Sequence, residues 1–215
     1  MRIIKCVLIF SILSLMVLLI PASAEVVYTP VNVSIPVNNF YVIDLNHDGV
    51  TDFILRSELL QDYCLGGNGY AWNLGVTPVR GDAVVVASDY YAAALLRGVR
   101  VDGSQNLFPS TALMSELEWG PCGQGLYGEW MNLPNRYLGL QFRPHGSNDI
   151  HHGWAQVSTV AYVDDHGHLH ASTILMGFAY ETVAGRGIPT GQTSELRDDS
   201  AQSSGLRTLP VGGVL

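Results

Sequence analysis

The chain has a single lysine, Lys5, and only 14% of its residues are charged. Lys5 and Arg2 precede an apolar stretch from Val7 to Ile20, which closes on Ala22-Ser23-Ala24. A positive start, an apolar run and a small-residue close have the form of a secretory signal peptide over residues 1–24. The run is short for a spanning helix, so no membrane span is expected after cleavage. Beyond Ala24 the chain carries no lysine, nine arginines and 19 acids, for a net charge of −10. Binding to phosphate backbones needs basic clusters, and their absence argues against nucleic acid as a partner.

Catalytic signatures are also missing. There is no G-x-S-x-G, no H-E-x-x-H and no phosphate loop. Glu116, Glu118, Glu129 and Glu181 offer carboxylate pairs of the kind glycoside hydrolysis uses, but any acidic chain supplies such pairs. The expectation is a non-enzymatic protein, with a glycoside hydrolase as the weakest alternative.

Cysteine is scarce. Cys6 leaves with the signal peptide, and Cys64 and Cys122 remain in a chain bound for an oxidising compartment. A disulfide between them is the default expectation, ahead of two free thiols or a metal pair. It would close a loop of roughly 60 residues and contribute about 4 kcal/mol in the chain-entropy account.

What is present centres on Asp44-Leu45-Asn46-His47-Asp48-Gly49-Val50-Thr51-Asp52. Oxygen-bearing side chains stand at positions 1, 3, 5 and 9, with glycine at position 6. Calcium takes about six to eight oxygen ligands, and this spacing supplies them from alternate residues. Asp44, Asn46, Asp48 and Asp52 would bind by side chain and Val50 by its carbonyl. The ion would be structural. Leu55 occupies position 12, where an EF-hand needs glutamate, and the flanks Phe40-Tyr41-Val42-Ile43 and Phe53-Ile54-Leu55 read as strands. A strand–loop–strand unit of this form, followed by Phe53, resembles the calcium loops of FG-GAP repeats. It occurs once, so no propeller is implied. The competing reading is an Asp-Gly hairpin turn without an ion.

The rest of the chain reads as mostly β. Residues 25–35 suggest a strand pair broken by Pro30, 40–57 a hairpin around the loop, and 62–81 a long loop carrying Trp72. Residues 82–87 form an apolar strand. Ser88 and Asp89 then cap one short helix over Tyr90 to Arg97, ended by Gly98. Residues 99–136 read as irregular, and strands return at 137–142, 153–163 and 168–181, with a tight turn at Asp164–Gly167. Many short strands with Gly-rich turns indicate a β-sandwich or jelly-roll-like domain over 25–189, followed by a disordered tail over 190–215.

Two further clusters carry candidate chemistry. His168 and His170 share a strand face, and with His152 or Asp164 they would form a second metal site. Trp72, Trp119 and Trp130 lie in Gly-rich segments and would act as stacking platforms if the protein is a lectin-like carbohydrate-binding module; the alternative is that tryptophans plug the core.

DLNHDGVTDF, YLGLQF followed by HHGW, and GFAYETVAGRGI together resemble a family of small exported bacterial proteins, many of which carry a PEP-CTERM sorting tail. The resemblance covers most of residues 25–192. It implies fold and export more than activity. The expectation for the chain is a periplasmic or extracellular location and a non-enzymatic structural or interaction role, with envelope or polysaccharide components as partners. The chain departs from the pattern at His152, where the family commonly has Tyr, and it lacks the Pro-Glu-Pro signal, closing helix and basic terminus.

Overall fold

The computed structural model describes residues 25–61, 69–121 and 123–194. The expected signal peptide over residues 1–24, Cys64 and Cys122, and residues 195–215 of the expected tail lie outside them. The described residues form fourteen strands: β1 Val26–Ile35, β2 Asn39–Ile43, β3 Phe53–Gln61, β4 Tyr70–Pro78, β5 Ala83–Ser88, β6 Tyr91–Ala92, β7 Arg100–Val101, β8 Leu107–Phe108, β9 Ala112–Gly120, β10 Gly123–Tyr127, β11 Arg136–Phe142, β12 His151–Val163, β13 Leu169–Glu181 and β14 Ile188–Pro189. Twelve of them make one sheet in the order β1-β13-β12-β11-β5-β6-β9-β4-β3-β2, with β10 beside β9 and β8 beside β5. The path is one sheet rather than two because β5 pairs with β11 on one side and β6 on the other. The terminal strands β1 and β2 follow each other in sequence across Pro36–Asn38, so the sheet rolls into a nearly closed barrel.

The roll encloses one core. Ile43, Leu55, Trp72, Met114, Trp130, Leu138 and Phe142 are fully buried within it. A second, smaller core lies where Tyr137 and Trp154 pack with Val26, Val101 and Ile188. The short β7–β14 ribbon contributes Val101 and Ile188, so it covers strand residues that would otherwise face water. This accounts for the continuous burial of His151 to Ala155 on β12, where a half-exposed strand would alternate.

The expected helix does not form, and no helix occurs among the described residues; none is therefore long and apolar enough to cross a membrane. Asp89 adopts a positive φ of 43° and turns the chain at the point where a right-handed helix would begin. Tyr91 and Ala92 then pair between β5 and β9, and Ala92 is fully buried. Burial within the sheet outweighs the helix propensity of Ala-Ala-Ala-Leu-Leu.

Four other expectations change. Residues 26–35 are a single strand bulged between Pro30 and Val33, where Asn32 has a φ of 57°. Pro30 is tolerated because β1 pairs only with β13. Nine residues of the expected 62–81 loop, Tyr70–Pro78, are β4, and β9 and β10 occupy much of the segment read as irregular. The domain also continues past residue 189: Thr190 is buried, and its backbone exchanges hydrogen bonds with Val99 and Gly98 at 2.9 Å.

Candidate metal centre

The Asp44–Asp52 loop joins β2 to β3 at one rim of the roll. Ile43 and Phe53 face each other as the last ladder pair, and the Asp52 N–H closes onto the Ile43 carbonyl at 2.9 Å. Leu45 is fully buried and anchors the loop in the core. That anchor leaves its neighbours Asp44 and Asn46 only part-buried. His47 and Gly49 adopt positive φ of 59° and 84°, which bend the chain back on itself. The His47 ring lies 2.7 Å from the Thr29 hydroxyl and ties the loop to β1, across the open edge of the roll.

The side-chain oxygens point into the bend. Asp44 accepts the N–H groups of Asp48 at 3.2 Å and Gly49 at 2.8 Å. Asn46 Oδ1 also accepts from Asp48, at 3.3 Å. Asp48 accepts from Val50 at 2.9 Å and from the backbone of His145, beyond β11, at 2.9 Å. Partial burial works to raise the Asp48 pKa, but these donors and the Asn46 amide outweigh it and hold the carboxylate below its usual range.

Asp52 is different. It is 1% exposed; one oxygen accepts the Leu45 N–H at 2.8 Å, and Oδ1 is buried without a partner. Burial first, then the charges of Asp82, Asp48 and Asp44, push its pKa up to about 7. Asp82, in the turn between β4 and β5, is a participant the motif could not reveal. It is 2% exposed, accepts the Arg143 N–H at 3.0 Å, and is raised to about 6, mainly by burial. No spacing rule links residue 82 to residues 44–52; only the sheet order brings the two turns together.

The arrangement fits a hard cation in donor chemistry. A buried carboxylate with an orphaned oxygen is costly unless a positive group meets it. The Asp44, Asn46 and Asp48 side chains gather at the same bend. Even so, among the described residues no three His, Cys, Asp or Glu side chains converge as a ready-made cluster. The loop's donors mix carboxylate, amide and carbonyl, and its carboxylates hold backbone N–H groups.

The second candidate set is divided. His168 Nδ1 and His170 Nε2 lie 3.3 and 3.0 Å from Asp164 Oδ2 at the opposite rim. His152 lies near the start of β12, ten residues before Tyr162, the cross-strand partner of His170, and so roughly 30 Å away along the strand. It is 2% exposed and bonds the Arg186 carbonyl through Nδ1.

The tryptophans also separate. Trp72 and Trp130 are fully buried, with ring N–H groups donated to the Ser57 hydroxyl and the Ala92 carbonyl at 2.9 Å each, so neither presents a face to a ligand. Trp119 is half-buried and lines a surface cleft. Among the acids, Glu181 is buried and takes the Val183 N–H, Glu129 takes the Ala94 N–H, and Glu116 and Glu118 share one face of β9.

No family model, curated protein or solved structure matches this chain.

Proposed function

We propose that the protein is an exported, calcium-stabilised β roll of jelly-roll-like character, with a structural or interaction role in the envelope or extracellular matrix. The observation that carries this reading is the buried, unpartnered Oδ1 of Asp52 behind a loop of Asp, Asn and Asp oxygens. Asp44, Asn46, Asp48 and Asp52 would hold the ion by side chain and Val50 by its carbonyl. The ion would neutralise carboxylates that otherwise repel one another, and it would fix the β2–β3 connection to β1 and to the segment after β11. The residues at 1–24 supply the export half of the reading.

The test is thermal unfolding in calcium and in chelator, beside Asp48→Ala. Calcium at about 100 times its dissociation constant should add roughly 2.7 kcal/mol, which is a rise of several degrees at this chain length. The rise should vanish in Asp48→Ala. No response to calcium in the wild type would end the reading.

A further inference from the structure

The opposite rim of the roll carries a feature independent of the calcium loop. β9, β10 and the far end of β12 wall a cleft of about 420 Å³. That volume falls within the range of ~300–1,000 Å³ common to small-molecule sites, which favour the mouths of barrels. Trp119, Leu126 and Tyr162 give it apolar surfaces, and Gln124 and Asn132 give it polar ones. Leu126 is 64% and Tyr162 51% exposed. Large apolar side chains left in water around one concavity mark a binding surface.

The Trp119 ring has a built support. Trp119 stands opposite Tyr70 on β4 and Gln124 on β10. The Tyr70 hydroxyl donates to the Gly167 carbonyl at 3.1 Å, in the turn between β12 and β13. That turn runs so close that a Cβ on Gly167 would sit 3.6 Å from the indole nitrogen. Asp164 fastens the turn by accepting the N–H groups of His166 and His168 at 2.9 Å. An aromatic surface held in advance loses little freedom when a ligand arrives.

The polar groups select the ligand class. Asn132 Oδ1 accepts the Ala161 N–H at 2.8 Å, which leaves the amide N–H groups of Asn132 to donate elsewhere. Gln124 is exposed and brings both a donor and an acceptor. Amide donors and acceptors beside aromatic faces suit a ligand with apolar C–H faces and hydroxyl edges. An organic cation would use the rings but not the amide donors. An anionic glycan would meet a chain whose net charge beyond Ala24 is −10. We infer that this cleft binds a neutral saccharide, with Trp119 and Tyr162 against the sugar faces and Gln124 and Asn132 on the hydroxyls.

The test uses the full exported chain in calorimetric titration and tryptophan-emission assays. The probes are soluble oligosaccharides of glucose, xylose, mannose and N-acetylglucosamine, with tetramethylammonium as the cation control. At least one neutral oligosaccharide should bind and change the emission. Trp119→Ala and Gln124→Ala should each weaken that binding about tenfold, as loss of an anchoring contact does. If Trp119→Ala also lowers the thermal midpoint, the exposed Gln124→Ala decides alone. Binding of tetramethylammonium without any sugar, no sugar binding at all, or sugar binding that survives Gln124→Ala would each overturn the inference.

Discussion

One carboxylate oxygen of Asp52 accepts the Leu45 N–H at 2.8 Å while the other lies buried without a partner. The first contact positions the loop, and the second is an electrostatic debt. Asparagine at this position separates the two. Its carbonyl oxygen can still accept from Leu45, but it carries no buried charge. In chelator at pH 8, Asp52→Asn should unfold at or above the wild-type midpoint, because an uncompensated buried carboxylate is destabilising. In calcium the order should reverse, since the variant has lost an anionic ligand. A variant less stable than wild type in chelator would show that the carboxylate is already satisfied without a metal.

The loop could be read in the sequence because its information is local: alternate oxygens and one glycine within nine residues. Asp82 could not be read, because its relation to Asp52 depends on which turns the sheet order places side by side. The same distinction runs through the fold. β12 and β13 announced themselves by β-branched and aromatic residues around an Asp-Asp-His-Gly turn. β9 did not, because Ala-Leu-Met-Ser-Glu-Leu-Glu is made of helix-favouring residues whose strand conformation is imposed by β4 and β10 on either side. Tryptophan in a Gly-rich segment is likewise ambiguous by sequence. Trp72 entered the core because β4 points it inward, whereas Trp119 stands at the end of β9, where the core runs out.

Acid should weaken the protein through His152. Its Nδ1 bonds the Arg186 carbonyl, its Nε2 is buried without a partner, and burial holds its pKa below the usual histidine value, with His151 and Arg100 acting in the same direction against Asp102. The folded state therefore binds this proton less readily than the unfolded chain. The stability that neutral His152 supplies is present above about pH 6.5 and is lost as pH falls below it. Asp52 works in the opposite sense without metal: its raised pKa makes stability decline as pH climbs from about 4 to 7. Only the difference between wild type and His152→Gln isolates the histidine. That difference in unfolding free energy should shrink from pH 7 to pH 5. A difference independent of pH would mean that the ring takes up its proton as readily in the folded protein as in the unfolded chain, and a difference that grows toward pH 5 that the protonated ring has a partner.

Gly128 should tolerate no side chain. Its φ is 84°, and a Cβ there would collide with the Met114 carbonyl oxygen. The obstacle is backbone of the central strand β9, which cannot rotate away as a side chain could. Overpacking costs about 1–3 kcal/mol and left-handed strain about 1 kcal/mol more. Gly128→Ala should lower stability by about 3 kcal/mol in denaturant unfolding. Gly98→Ala, with the same φ but open space around it, should pay only the strain. Equal costs at the two sites would show that the β10 turn can shift.

The last prediction concerns Cys64 and Cys122, which fall outside the described residues; their flanking strands nevertheless set the terms. Gln61 at the end of β3 pairs with Tyr70 at the start of β4, and Tyr70 pairs with Trp119 one residue before the Gly120–Gly123 pair that ends β9 and begins β10. The described strand ends that flank the two cysteines in sequence therefore lie at one end of the same sheet. We expect them to be joined once the chain has passed through an oxidising compartment. Intact-mass measurement after alkylation should find no free thiol unless a reductant is added. Reduction should lower stability by about 4 kcal/mol, the entropy restored to an unfolded loop of roughly 60 residues, less whatever restraint the folded strands already impose. It should also weaken saccharide binding at Trp119, because that ring stands beside the same connection. Alkylation of both cysteines in the native protein would refute the pairing while leaving the reading of the Asp44–Asp52 loop untouched.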